Sequence, residues 1–319
     1  MRDAGLYYLV GLLALGLAGV AQAQDAVPDA EAPAATADAP PSGQGDPLLE
    51  RGAYLFAAAG CAGCHTDVKN QGALLAGGRP LDTPFGVFYS PNITPDPETG
   101  IGDWSDEDFI RALREGVSPD GDHLYPAFPY TSYTRMTEED MRALKAYIFS
   151  LPPVRQENRP HDLGFPYGWR FLLGAWKMLN FEPGVHTADS GRSDGWNRGA
   201  YLVEALGHCG ECHTPRDALG GLDGERWLAG TVDGPGGDKV PNITPDEETG
   251  IGSWSASQIT GVLRTGLLPD GDVVGASMGE VVENSTSRLT NEDRAAIAEY
   301  LQSQQPVANP DARATQPDY

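Results

Sequence analysis

The clearest helical pattern of hydrophobic positions follows Thr137, where Met141, Leu144 and Ile148 recur at three- and four-residue spacing. Polar and acidic residues fill the positions between them. The corresponding pattern later in the chain begins at Thr290. Threonine followed by acidic residues is typical of a helix N-terminus, so the sequence predicts a helix after each threonine.

Further helices are predicted to begin near Arg51 and Arg198. Residues 105–113 form another, with Ser105 and Asp108 as an N-terminal capping pair. The segments between the helices are rich in glycine and proline, with 40 Gly and 26 Pro in the chain, and show little strand periodicity. So few regular elements make a weak core unless a bound group supplies its centre.

The N-terminus predicts export. Arg2 precedes an apolar stretch from Leu6 to Val20, and Ala21-Gln22-Ala23 fits the small-residue cleavage rule of signal peptides. Fifteen apolar residues are short for a membrane span, and an uncleaved anchor is the alternative. Residues 24–46, rich in Ala, Pro and Asp, are predicted to be a disordered linker because they offer too little apolar surface to bury.

The chain is predicted to be a duplication, because blocks of sequence return in the same order. The first block returns after 147 residues (51 to 198), the cysteine motifs after 148 (61 to 209), and the later blocks after 150 (92 to 242). The matching blocks are 51–55 with 198–202, 91–96 with 241–246, 98–102 with 248–252, Trp104 with Trp254, and 119–122 with 269–272.

Both copies contain the motif C-x-x-C-H, and the two motifs hold all four cysteines of the chain. This is the attachment sequence for c-type haem, in which the thiols form thioethers and the histidine binds iron. A redox pair, a disulfide or half a zinc site is the alternative for one isolated C-x-x-C. Two complete motifs predict two covalent haems c (with iron), attached through Cys61, Cys64, Cys209 and Cys212, with His65 and His213 as proximal iron ligands.

A methionine thioether is a common second axial ligand in cytochromes c. The second copy has one methionine, Met278, which is therefore the predicted ligand there. The offset of 150 places Phe128 at the equivalent position of the first copy, and phenylalanine cannot bind iron. Met136, just before the last helix, is the predicted ligand of the first haem, with His123 or an open, water-bound iron as alternatives.

Other methionines and histidines are expected to be structural. Met141 and Met178 lie in apolar helical patterns and are expected in the core. His161 and His186 lie in a connector, where a solvated or structural role is expected, and His208 is too close to Cys209 to reach the distal face.

The formal charge of -23 argues against nucleic acid as a partner and indicates a partner with a basic patch. Residues 165–181 of the connector are dense in aromatics. A helix packed between the domains is the preferred interpretation of this segment, and a docking face for a partner protein or a membrane is the alternative.

The succession G-x-Y-L, C-x-x-C-H-T, T-P-F-G, N-I-T-P-D, T-G-I-G-x-W and Y-P-A-x-P-Y resembles the cytochrome c subunits of periplasmic alcohol, gluconate and related dehydrogenases. The resemblance covers most of residues 48–305. It implies class I cytochrome c domains that pass electrons from a dehydrogenase toward quinone or a terminal oxidase or cytochrome. Met278 falls where such proteins place the distal ligand. Those subunits often carry three haem domains and a membrane-binding C-terminus, and many have Met at the position of Phe128, so this chain departs from the pattern.

The sequence therefore predicts an exported, periplasmic dihaem cytochrome c that is all-α, transfers electrons in a respiratory chain and is not itself an enzyme. An anchor facing the periplasm is the alternative location. The rival function is a dihaem peroxidase or a thiol- or thiosulfate-oxidising enzyme with its catalytic haem in the first domain, an idea that Phe128 keeps open. The predicted organisation is a signal peptide (1–23), a linker (24–46), cytochrome c domain one (47–155), a connector (156–195), domain two (196–306) and a polar tail (307–319).

Overall fold

The computed structural model describes residues 45–314. The predicted signal peptide and nearly all of the predicted linker lie outside the described residues, as do residues 315–319 of the predicted tail. Within residues 45–314, no helix combines the length and the apolar character needed to cross a membrane.

Two similar series of helices make up most of the regular structure within residues 45–314. The first half contains α1 (Pro47–Ala58), α2 (Cys61–His65), α3 (Asp106–Glu115), α4 (Tyr130–Tyr133) and α5 (Glu138–Ser150). The connector contributes α6 (Leu172–Asn180). The second half contains α7 (Asp194–Tyr201), α8 (Gly210–His213), α9 (Ala256–Thr265), α10 (Ala276–Asn284) and α11 (Asn291–Gln302).

The predicted helix starts are confirmed by their caps. Ser105 and Asp108 form a complete capping box at the start of α3. Thr137 accepts a hydrogen bond from the Asp140 backbone N–H at the start of α5, and Thr290 does the same at α11. These side chains satisfy donors that the first helical turn leaves free.

In each half, the first and last helices cross closely at a glycine. A β-carbon at Gly52 of α1 would overlap the carbonyl oxygen of Ala143 in α5, and one at Gly199 of α7 would overlap that of Ala296 in α11. Glycine therefore allows the two helix backbones to touch. One apolar cluster continues through these crossings and includes residues of both halves.

The fold is mostly helical, in agreement with the all-α expectation, and it also contains a small antiparallel sheet that was not predicted. Strands β1 (Pro80–Thr83) and β2 (Gly86–Tyr89) form a hairpin, and β3 (Asp162–Leu163) pairs with β2. Val, Phe and Tyr in β2 favour extended structure, yet four residues are too few to show a clear alternating pattern. The third strand comes from the connector, and the sequence of the hairpin does not show that a connector segment pairs with it.

The connector packs one side of α6 on the first half and leaves most of its aromatic residues exposed. Leu173 and Lys177 are buried, and Trp176 donates to the Leu219 carbonyl of the second half at 2.8 Å. Phe165 and Phe171, in contrast, are 80% and 71% exposed. The preferred interpretation, a helix packed between the halves, therefore describes one face of α6 and not the segment that precedes it.

Candidate haem sites

A left-handed residue separates the first helix of each half from the C-x-x-C-H motif. Gly60 (φ 64°) turns the chain from α1 into α2, which consists of the motif residues Cys61–His65. His208 (φ 39°) holds the same place before Cys209 in the second half. The turn lets the cysteines and the histidine of each motif follow one another in a short helical segment.

Each motif histidine is held by the same hydrogen bond. Nδ1 of His65 lies 2.8 Å from the carbonyl oxygen of Pro91, and Nδ1 of His213 lies 2.8 Å from that of Pro241. A carbonyl can only accept, so Nδ1 carries the proton and Nε2 keeps its lone pair for a metal. Burial lowers the pKa of both histidines, which favours the neutral, ligating form.

The proline carbonyls are themselves fixed by a buried asparagine that follows each proline. Asn92 donates to the Val154 carbonyl at 2.7 Å and accepts from the Thr94 backbone at 2.9 Å. In the second half, Asn242 makes the same contacts with Val307 and Thr244 at the same distances. These contacts orient the histidine through its hydrogen-bond partner, as is common around metal ligands.

Residues 307–314 of the predicted polar tail take part in this support, because Val307 is the second-half counterpart of Val154. Asn309 donates to the Ala229 carbonyl at 2.8 Å, and Ala312 is fully buried. Residues 307–314 therefore pack on the second half, much as residues 154–158 pack on the first.

The four thiols are free and poorly suited to redox chemistry. All four cysteines are free, and none forms a disulfide. Burial raises the pKa of the Cys61 and Cys209 thiols to about 12 and that of Cys212 to about 11. Reactive C-x-x-C pairs need a lowered thiol pKa, so these thiols are poor redox nucleophiles.

The two predicted distal methionines differ in burial. Met136 is fully buried, in the same apolar cluster that Cys61 and Phe128 contact. Met278 lies half-buried on α10. Phe128 packs on Tyr133 with ring centroids 5.6 Å apart, so it contributes to the apolar packing of this loop. The distal roles of Met136 and Met278 stay predictions.

Met141 is buried as expected, and its sulfur is 3.8 Å from Nη2 of Arg114. The expectation for Met178 is wrong, because this side chain is 87% exposed on α6. An apolar helical pattern cannot tell which face of a short helix meets the protein and which meets solvent. Met178 lies on the outer face, opposite the buried Leu173 and Lys177.

The remaining histidines have contacts away from the motifs. Nδ1 of His123 lies 3.1 Å from Nζ of Lys177 on α6. The His161 ring packs edge-on against Tyr125 in the small sheet region, and the His186 ring packs on Tyr201. These contacts agree with the structural roles expected for His161 and His186. His123 faces the connector helix.

Each motif is also linked by hydrogen bonds to a short helix of the other half, the first motif to α10 and the second motif to α4. Arg79 of the first half donates to the Gly63 carbonyl and pairs with Glu280 of α10, both at 2.5 Å. In the second half, Glu211, which lies inside the motif, accepts from Thr131 at 2.5 Å and from Ser132 at 3.0 Å. Sequence reasoning missed these residues because their partners lie 79 to 201 positions away.

The arrangement fits haem c. The neutral histidine with a free Nε2, the two free thiols before it and the apolar cluster around Cys61 are what a covalently attached, axially ligated macrocycle requires. The bound group would supply one-electron redox chemistry, and the protein would supply attachment, ligands and burial.

Comparison with known proteins agrees with this chemistry. Residues 49–152 match the family model described as cytochrome c. The chain is 48% identical over 255 residues to a protein named diheme cytochrome c-type from Cereibacter sphaeroides, covering 79% of this chain and 84% of that protein.

Two further relatives are subunits of dehydrogenases. The fructose dehydrogenase cytochrome subunit of Gluconobacter japonicus is 43% identical, over 81% of this chain and 52% of that protein. The gluconate 2-dehydrogenase cytochrome c subunit of Pantoea cypripedii is 42% identical, over 81% of this chain and 60% of that protein. The chain thus spans little more than half the length of these two. Both names describe the cytochrome subunit of a dehydrogenase. This chain belongs to the cytochrome c family and is a relative of dihaem c-type cytochromes and of these dehydrogenase subunits.

Proposed function

We propose that this protein is an exported electron carrier with two covalent haems c in two tandem class I cytochrome c domains that arose by duplication. It accepts electrons from a dehydrogenase in the periplasm and passes them to quinone, an oxidase or another cytochrome. Its role is electron transfer and not catalysis. The predicted domains are 47–155 and 196–306, with an anchored form facing the periplasm as the alternative to a cleaved signal peptide.

The observation that carries the proposal is the repeated histidine geometry. His65 and His213 each follow two cysteines and each direct Nδ1 to a proline carbonyl at 2.8 Å. The two sites share the same cysteines, histidine and hydrogen bond, and this supports a carrier in which a protein histidine binds each haem iron on the proximal side. Met136 and Met278 would complete the coordination. Saturated irons undergo outer-sphere transfer with little rearrangement, and a Met/His pair raises the reduction potential.

A dehydrogenase donor is supported by the names of the relatives, which include cytochrome subunits of fructose, gluconate and alcohol dehydrogenases. The net charge of -23 favours a donor or acceptor with a basic docking surface. Long-range attraction between opposite charges accelerates encounter and weakens as salt increases. The reduction rate by the native donor should therefore fall as ionic strength rises.

The docking face of the proposal is the aromatic segment at residues 165–181. Its exposed side chains pack on one another: Phe165 meets Trp169 edge to face with centroids 5.0 Å apart, and Trp169 stacks on Phe171 with centroids 5.8 Å apart. Exposed apolar clusters of this kind mark interaction sites.

The double variant Phe165→Ser with Phe171→Ser should abolish co-purification with the dehydrogenase in mild detergent. Val68→Ser, at a side chain 69% exposed elsewhere, is the matched control. Retained co-purification of the double variant would exclude this face, and binding to empty vesicles would assign it to the membrane.

Haem content tests the proposal directly. A pyridine haemochrome assay and intact mass should give two covalent haems per chain. Cys64→Ser and Cys212→Ser should each remove most of one haem, because one thioether of each motif is lost. Periplasmic fractionation, together with N-terminal sequencing of the mature chain, tests export. One haem or none in the native protein would refute the function.

A further inference from the structure

An extra residue lies immediately before the second haem motif. The repeat offset changes from 147 to 148 between the first sequence block and the cysteines, so the second copy is one residue longer in this interval. The structure accommodates it as a π-helical turn at Leu202–Leu206, where the Gly207 N–H donates to the Leu202 carbonyl at 2.7 Å. Such turns absorb single insertions in helices and often lie at functional sites.

The second residue after this turn, next to the motif, is held in an unfavourable conformation. His208 has φ 39°, in the left-handed region, where the first copy has Gly60 with φ 64°. Glycine takes this conformation without the steric cost of a β-carbon. A histidine held in this conformation indicates that its side chain has a role, because strain of this kind concentrates at functional positions.

The His208 side chain reaches the first half through Tyr133. The two rings meet edge to face, with centroids 5.6 Å apart and planes at 84°. The Tyr133 hydroxyl donates to the Ala59 carbonyl at 2.9 Å. Ala59 lies two residues before Cys61, and His208 directly precedes Cys209. A short series of contacts therefore joins the two attachment motifs.

Tyr133 is buried, His208 is partly buried, and both side chains are uncharged at neutral pH. Tyr133 is 6% exposed. Burial lowers the pKa of His208, an effect that Glu211 and a hydrogen bond to the Ala59 backbone oppose, and the ring is neutral. Burial also raises the pKa of the Tyr133 hydroxyl well above its ordinary value, so the phenol stays protonated.

We propose that Tyr133 and His208 form the bridge for electron exchange between the two haem sites, with His208 as a positioning residue that sets the contact between the motifs. This inference rests on the proposed function. One electron passes from the reduced site to the oxidised site, and no bond, proton or other group is transferred. The first copy needs no such residue at Gly60, because one bridge serves both haems.

The test is the rate of electron transfer between the haems within one molecule, measured by flash photolysis of the half-reduced protein, with the potential of each haem titrated in parallel. His208→Gly should slow the exchange several-fold while both potentials stay unchanged. It should also raise the melting temperature, because it relieves the left-handed strain. Tyr133→Phe should slow the exchange as well, since it loses the hydrogen bond to Ala59.

Tyr54→Phe is the matched control, because it removes another tyrosine hydroxyl that is partly buried and hydrogen-bonds between the halves. Its exchange rate should equal that of the native protein. Unchanged rates in both His208→Gly and Tyr133→Phe would overturn the inference. An equal slowing in Tyr54→Phe would also overturn it, because the effect would then be general packing. A haem count below two in the native protein would refute the proposed function instead.

Discussion

The hydroxyl of Tyr54, in the first half, donates to Oδ2 of Asp293, in the second half, at 2.5 Å. An equivalent hydrogen bond runs in the opposite direction, from a tyrosine of the second half to an aspartate of the first. Tyr201 of the second half donates to Oδ2 of Asp140 in the first half at 2.6 Å. Each carboxylate is also paired with an arginine of its own half, Arg51 or Arg198. The two halves therefore exchange equivalent contacts, as in an isologous dimer interface.

Each of these tyrosine hydroxyls also accepts from the backbone at the start of the other half's last helix. Thr290 N–H donates to Tyr54 at 3.2 Å, and Thr137 N–H donates to Tyr201 at 3.1 Å. We expect Tyr54→Phe and Tyr201→Phe each to lower the free energy of unfolding by about 1–3 kcal/mol, the usual contribution of a hydrogen bond to a charged group. Urea unfolding measures this. A loss within error of zero in both variants would show that the exchanged pairs do not hold the halves together.

The helix crossings give a prediction about glycine. Gly199→Ala should destabilise the protein by about 1–3 kcal/mol, because the new methyl group would overlap the Ala296 carbonyl oxygen and the helices must move apart. Gly261 is the control, since it lies in α9 with open space around its α-carbon. Gly261→Ala should stabilise by up to about 1 kcal/mol through helix propensity. Thermal unfolding of both variants should give opposite signs, and a loss in both would contradict the packing argument.

The helices and their caps could be predicted from the sequence because their determinants are local. Ser105, Thr137 and Thr290 lie within three residues of the groups that they cap. The haem motifs are also local, since both cysteines and the histidine lie within five residues. The sequence repeat extends these predictions to both halves, and equivalent contacts such as those of Asn92 and Asn242 agree with it.

The contacts between the halves could not be predicted, because each joins residues that are distant in sequence. Tyr54 and Asp293 are 239 positions apart, and no pattern of hydrophobicity links them. The exposed face of α6 was not predicted for the same reason, since Met178, expected in the core, faces solvent, whereas Lys177 is buried. Lys177 is buried because its ammonium caps a helix, which its charge alone does not suggest.

Lys177 gives a pH prediction. Its Nζ donates to the carbonyls of Glu115 and Gly116, each at 2.7 Å, at the C-terminal end of α3. Burial lowers the pKa of Lys177 to about 8, although the Glu115 carboxylate opposes the shift. Between pH 8 and the ordinary lysine pKa near 10.4, the unfolded chain binds more protons at this site, so stability attributable to Lys177 should rise with pH.

Lys177→Met removes the titrating group and keeps a side chain of similar length. Comparing urea unfolding of the native protein and of Lys177→Met from pH 7 to pH 10 isolates the lysine, since other groups titrate in both. The free energy of unfolding of the native protein minus that of Lys177→Met should increase as pH rises. A constant difference would show that the pKa of Lys177 is not lowered.

The proposed second haem gives a prediction about its reduction potential. Met278→His should lower the reduction potential of that haem, because an imidazole replaces the thioether of a Met/His pair. The absorption band that arises from methionine-to-iron charge transfer should be lost from one haem of two. Potentiometric titration followed by visible and near-infrared absorption measures both. An unchanged potential and spectrum would assign the distal position to another group.

The first haem gives the sharpest test, because Phe128 stands where the second half has Met278. Met136 is the predicted ligand, and it is fully buried in the cluster that contains the residues around Cys61. Met136→Ala should leave one iron high-spin and able to bind carbon monoxide or cyanide. His123→Ala should leave the spectrum intact, because the His123 ring lies against Lys177 of the connector.

Met141→Ala separates ligation from packing. Met141 is as deeply buried as Met136, and its sulfur already faces Arg114, so its loss should destabilise the fold by about 2–5 kcal/mol without altering the haem spectrum. Met136→Ala should produce a comparable loss of stability together with the spectral change. A low-spin first haem that persists in Met136→Ala would eliminate this methionine, and a high-spin haem in His123→Ala would then assign the ligand to His123. A high-spin first haem already present in the native protein would instead favour the open coordination expected of the enzyme alternative.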